Sequence, residues 1–178
     1  MSNWKLRPAR ADDLPKLSQI EKAADKLLIE AGMDLPPAQY SDDAYGADDD
    51  IIVAALTDRD EPVGFAYVIQ MEQGTHLAEL GVDPAHGRQG IGAALVQHIL
   101  KRAEADGQFA VTLSTFIHVP FNGPFYEKLG FEAVSPLSLG TEYPKLRQAE
   151  ADNGLDVSQR QFMIRYLNPV SRNEAANN

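Results

Sequence analysis

"VDPAHGRQGIGAALV", residues 82–96, is the stretch on which the reading of this chain turns. An apolar run stops at Asp83-Pro84, three glycines fall within six residues, and an apolar-periodic segment begins at once. Gly87, Gly90 and Gly92 would each weaken a regular element by about 0.5–1 kcal/mol, so something should offset them. A helix start exposes unpaired N–H groups and a partial positive charge, which suits an anion. Several N–H groups pointing inward together suit a diphosphate better than a single carboxylate, and Arg88 can add charge from the side. On spacing alone, tight packing with no ligand explains the glycines equally well.

The spacing itself is G-R-Q-G-I-G. It is neither the G-x-G-x-x-G of dinucleotide-binding folds nor the G-x-x-x-x-G-K-[ST] of nucleotide P-loops, which sets both ligand classes aside.

The rest of the composition narrows the field. At 178 residues, 44% hydrophobic and 24% charged, the chain is expected to form one globular domain over residues 4–167, followed by a disordered tail at 168–178. It has no cysteine, hence no disulfide framework and no thiolate nucleophile or metal site. The formal net charge of −10 argues against nucleic acid, because phosphate-backbone binding needs a concentrated basic face. It suits a cationic partner, and "YSDDAYGADDD" concentrates acid in one place, although a solvated loop accounts for that run as simply. The first residues lack the apolar core of a signal peptide and no run reaches membrane-span length, so a cytoplasmic protein without membrane contact is expected.

Periodicity gives the elements. "NWKLRPA" reads as a strand, and Leu14, Leu17, Ile20, Ala24, Leu27 and Leu28 mark a helix with Asp12 as its cap and Gly32 as its stop. A short second helix is expected between Pro36 and Gly46. "DIIVAALTD" and "EPVGFAYVIQMEQ" read as a hairpin about Asp58-Arg59-Asp60, and "THLAELGVD" as the next strand. After the glycine stretch comes a helix closed at Gly107, then the strand "FAVTLSTFIH", a short helix in "FNGPFYEKLGF" and two last strands, "FEAV" and "RQFMIRYL". Residues 135–159 read as a long loop. Hairpin neighbours first and strand–helix–strand units afterwards predict an α/β domain: one layer, a mixed sheet, helices on both faces, and not a doubly wound one.

"VPFNGPFYEKLGF" adds a second signal. With "ELGVDPAHGRQGIGAALV", it resembles the GNAT superfamily of acyl-CoA-dependent N-acyltransferases, in element order and motif placement from Trp4 to Leu167. Gly90, Ile91, Gly92 and Ala93 match the second half of that family's pyrophosphate loop, and residues 125–131 match its "FYEKLGF" segment. Where the family usually starts its loop with Gln or Arg, this chain has Gly87, with Arg88 one place later.

The resemblance implies a sheet of about seven strands splayed between the fourth and fifth. It also implies acetyl-CoA as co-substrate, with no metal. Contacts to the coenzyme would come from Leu80, Val82, Gly87, Arg88, Gly90, Ile91, Gly92, Ala93, Asn122 and Phe125. The pantetheine would pair with main-chain groups around Leu80 and Val82, where a backbone N–H would polarise the thioester carbonyl. Gly81 would mark the bulge that opens the strands.

Transfer to an amine raises two proton problems. An alkylammonium of pKa near ~10.4 is neutral in only about one molecule in 10³ at pH 7. A base must therefore take its proton, and the leaving thiolate needs an acid. Tyr126 is the acid by family position. Glu79, a carboxylate in an otherwise apolar strand, is the first candidate base, with His118 or water as alternatives. His76, His86 and His98 do not converge on a metal-like spacing. A non-catalytic acyl-CoA-binding or protein-interaction module of the same fold is the rival reading, and the sheet edge at the last strands is where a homodimer contact is expected.

Overall fold

The structure, a computed structural model, describes residues 3–36 and 44–167. The second helix expected between Pro36 and Gly46 falls largely outside the described residues, as does the tail at 168–178. Seven strands run β1 (Trp4–Pro8), β2 (Asp50–Leu56), β3 (Pro62–Met71), β4 (Gly74–Val82), β5 (Ala110–Phe116), β6 (Glu132–Val134) and β7 (Arg160–Tyr166). Among the described residues four α-helices lie between strands, with none between β2, β3 and β4: α1 (Leu14–Glu30), α2 (Ile91–Ala105), α3 (Gly123–Lys128) and α4 (Glu142–Asp152). The strands form one mixed sheet in the order β1-β2-β3-β4-β5-β7-β6. Its parallel pair is β4 with β5, in a register from Gly74↔Ala110 to Leu77↔Leu113, although β4 runs on to Val82 and β5 to Phe116. No helix among the described residues is long and apolar enough to cross a membrane.

The chain divides into two compact units, one of residues 1–68 and 78–97, the other of 69–77 and 98–178. In the first, β2 is buried from Ile51 to Leu56, as its unbroken apolar run requires of a strand covered on both faces. Odd-numbered Ile51, Val53 and Ala55 join Phe65 of β3 and Leu17 and Ile20 of α1 in one cluster. Gly64, one residue from Phe65 and therefore on the opposite face, lies where a Cβ would come 3.0 Å from Ile91 Cγ2 of α2. Helices thus cover both faces here, as expected.

The start of α1 differs from expectation. Asp12 does not cap it; a 3₁₀ turn, Ala11–Asp13, leads in, and no side chain caps the α-helix. The Asp13 carboxylate instead accepts the Arg10 N–H at 2.7 Å and pairs with Arg7 Nη1 at 2.6 Å. The guanidinium from β1 outcompetes the helix for that carboxylate. The other end behaves as read: Gly32 has φ +88°, and Met33 N donates back to Leu28 O at 3.0 Å.

In the second unit, β7 lies between β5 and β6 and pairs antiparallel with both. Residues 135–159, expected as a loop, contain α4 between two 3₁₀ turns. Two prolines and two glycines hide its periodicity, and its stability is tertiary. Tyr143 is fully buried against Ala110, Phe162 and Ile164, and Glu72 in the β3–β4 turn caps the helix by accepting the Thr141 hydroxyl (2.8 Å) and the Glu142 N–H (3.3 Å). Glu142 returns the contact by accepting the Glu72 N–H at 2.7 Å.

Under α4 runs a polar chain. Tyr143 and Thr112 hydroxyls lie 3.2 Å apart, and the Thr112 hydroxyl is 2.9 Å from His76 Nδ1. Burial pushes the His76 imidazole down to about 4. Unfolded, it would titrate near ~6.5, so on acidification the unfolded chain binds the proton first. Stability from this group is therefore complete above about pH 6.5 and falls progressively toward pH 4, by up to about 3 kcal/mol. Melting temperature followed from pH 7 to 4 should drop less steeply in His76→Gln than in the wild type; parallel curves would contradict it.

Candidate active site

β4 leaves the sheet at Val82, and Asp83 N donates to Val63 O at 2.9 Å. Asp83 then caps a 3₁₀ turn, Pro84–His86, by accepting the Ala85 N–H at 2.9 Å. Gly87 is needed for closeness, since a Cβ there would sit 3.1 Å from Pro84 O. Two left-handed residues follow, Arg88 at φ +58° and Gly90 at φ +80°. α2 begins at Ile91, and its first helical bond is Ala94 N to Gly90 O, 2.9 Å. The N–H groups of Ile91, Gly92 and Ala93 precede that bond, so no carbonyl of their own helix can take them.

Arg88, Gln89 and Gly90 are exposed, and a Cβ on Gly90 would meet nothing within 4 Å. The mouth of the helix is open. Ile91, by contrast, is 1% exposed, so it offers a ligand its N–H and not its side chain. Val82 and Ile91 flank the same glycine, at 3.4 and 3.0 Å from a Cβ on Gly64, which joins the end of β4 to the start of α2.

On β4, Leu80 N donates to Glu79 Oε1 at 3.3 Å. Glu79 and Gly81 share the face that α1 covers: a Cβ on Gly81 would come 2.7 Å from Phe65 Cε1 and 3.3 Å from Ile20 Cγ2. The reason the structure shows for Gly81 is this close packing.

Two residues near Glu79 were missed in the sequence. Tyr45, 8% exposed, donates its hydroxyl to Glu21 Oε2 at 2.9 Å, with its ring edge-on to Phe65 and Tyr67. Burial, then the charges of Glu79 and Glu21, push the phenol far above its ordinary range. Burial likewise raises the Glu21 carboxyl, with the Tyr45 bond acting against it and the Asp25 charge adding to it. Glu21 could have been found, because it falls on the Leu17–Ile20–Ala24 stripe of α1, where a carboxylate is out of place.

In the second unit, α3 follows β5 after a short connection. Gly123 is packed so tightly there that a Cβ would overlap the Ile117 carbonyl. Tyr126, 7% exposed, lies edge-on to Phe125 (5.0 Å) and Phe131 (5.8 Å). Asn122 Nδ2 donates to Thr115 Oγ1 of β5 at 3.0 Å. His118 is exposed just beyond β5. Among the described residues, no group of three or more His, Asp or Glu is placed to hold a metal ion.

The structure thus gathers Leu80, Val82 and residues 87–93 around the end of β4 and start of α2, and Asn122, Phe125 and Tyr126 around α3. The chain is thus an α/β protein with a mixed sheet and an open helix start after its fourth strand. Comparison with known proteins narrows that class. Residues 47–133 match the acetyltransferase (GNAT) domain. It is 36% identical over 97 residues to the peptidyl-lysine N-acetyltransferase YjaB of Salmonella typhimurium, covering 52% of this chain and 59% of that protein. It is 33% identical over 111 residues to the probable N-acetyltransferase san of Drosophila melanogaster, covering 60% and 51%. The chain therefore spans between half and three-fifths of the length of these relatives. The PaiA N-acetyltransferase of Thermoplasma acidophilum, solved with coenzyme A, shares the fold with a TM-score of 0.67 at 17% identity, over 93% of this chain and 99% of that one.

Proposed function

We propose that this chain is an acetyl-CoA-dependent N-acetyltransferase that passes the acetyl group directly to a primary amine of a small molecule or peptide. The observation that carries the reading is the open start of α2: Gly90 at φ +80° with clear space beside it, ahead of N–H groups that no helical carbonyl can take. The diphosphate of the coenzyme fits that cradle, with N–H groups from residues 90–93 and charge from Arg88. The main chain at Leu80 and Val82 would take the pantetheine amides, and Asn122 and Phe125 would meet its far end.

In the transfer, the thioester C–S bond breaks and an amide C–N bond forms. Glu79 takes the proton that the ammonium must lose, and Tyr126 gives one to the departing sulfur. A cationic acceptor suits the carboxylate side of the first unit, where Tyr45 donates to Glu21 and the Glu79 charge bears on the same hydroxyl. The name of the Salmonella relative makes the lysine ε-amine one acceptor to try. We further place residues 4–167 as one functional domain, in the cytoplasm, with a homodimer contact at the outer edge of β6.

The test is an acetyl-transfer screen over an amine library, read as free thiol released. Thiol release with at least one amine supports the enzyme. Coenzyme A binding with no transfer to any amine would mean a binding module of the same fold. Glu79→Gln should move the pH–activity profile to higher pH, since the amine would then have to lose its proton to bulk water. An unchanged profile would pass the role to His118 or water.

A further inference from the structure

Tyr126 stands on a helix only six residues long, Gly123–Lys128. A helix that short has almost no stability of its own, so its attachments must set its orientation. On the C-terminal side, Leu129 N and Phe131 N both donate to Tyr126 O, at 2.9 and 3.1 Å. On the N-terminal side there is a direct path to the sheet. Tyr126 N donates to Asn122 O at 3.0 Å, and the side chain of that same Asn122 donates to Thr115 Oγ1 at 3.0 Å. Thr115 is 3% exposed on β5, where it pairs with Gln161 of β7. It is therefore a fixed point in the sheet, two hydrogen bonds from the Tyr126 backbone.

We propose that Thr115 is a positioning residue for Tyr126, acting through Asn122. Resting on the acetyltransfer reading above, this gives the buried hydroxyl a catalytic purpose: it holds the start of α3 so that the phenol meets the departing sulfur. Asn122 then does two jobs, since the amide that would face the pantetheine also ties α3 down. Glycine at 123 serves the same end, because only a residue without Cβ lets α3 start against the Ile117 carbonyl.

Thr115→Val keeps the shape and removes the hydroxyl, while Thr115→Ser keeps the hydroxyl. The valine variant should lose about tenfold or more in kcat, as a sub-ångström misplacement of a proton donor does, with KM for acetyl-CoA changed by less than about twofold. The serine variant should be near wild type. In an Asn122→Ala background, Thr115→Val should have little further effect on kcat, because both changes break one bond. An unchanged kcat in Thr115→Val, a serine variant as impaired as the valine one, or a full valine effect on top of Asn122→Ala would each overturn the proposal. Amide hydrogen exchange at Tyr126 decides it independently of turnover: it should quicken in Thr115→Val and not in Thr115→Ser, and equal rates would refute the tether. A wild type that transfers acetyl to no amine would refute the acetyltransfer reading and leave the exchange result to judge Thr115.

Discussion

Gly90→Val is expected to abolish coenzyme A binding while the protein still folds. The position has φ +80°, which a β-branched residue reaches only with strain of about 1–3 kcal/mol. No protein atom lies within 4 Å of the new Cβ, so the substitution creates no internal clash. What it fills is the space beside the N–H groups of residues 91–93, where phosphate oxygens would sit. Affinity should fall by at least about a hundredfold, or about 2.8 kcal/mol. Gly107, past the other end of α2, is the control. It too has positive φ (+69°) and open space, so Gly107→Val carries the same backbone strain far along the helix. Calorimetric titration should show binding lost in the first variant and kept in the second. Intact binding in Gly90→Val would take the loop out of the site; equal losses in both would reduce the effect to general destabilisation.

Tyr126→Phe should lower kcat by about 10²-fold, the lower end of what a positioned acid supplies, with acetyl-CoA affinity unchanged. The ring contacts to Phe125 and Phe131 do not need the hydroxyl, so the fold should persist. The phenol is expected to protonate a thiolate of ordinary pKa near ~8.5, so the defect should be largest with thioesters whose leaving group is basic. Comparing acetyl-CoA with an acetyl thioester of a more acidic thiol measures this. An equal loss for both, or unchanged turnover, would end the assignment of Tyr126 as acid.

The sequence exposed those parts of the fold where local chemistry and tertiary demand agree. β2 reads as an apolar run because both its faces are covered, and the ends of α1 and α2 read as glycines because both need positive φ. The loop before α2 was legible for the same reason, as was the "FYEKLGF" helix. Misreadings came where a distant partner decides. Arg7 takes the carboxylate of Asp13 away from the helix end, and α4 exists because Glu72 and the sheet hold it, despite Pro144 in its first turn and the glycines at 140 and 154 on either side. In the candidate site, the main-chain contributors and Tyr126 could be named from motif, but Tyr45 and Thr115 could not. Their significance lies in hydrogen bonds to Glu21 and Asn122, residues 24 and 7 positions away.

The central claim is that the amide protons opening α2 hold the coenzyme's diphosphate. A ¹⁵N-resolved NMR titration of the full chain with coenzyme A, repeated with pantetheine, which lacks that diphosphate, tests it most directly. The account predicts saturable shifts at the amides of residues 90–93 with coenzyme A and far weaker ones with pantetheine. Saturation elsewhere, with those four amides unmoved, would contradict it.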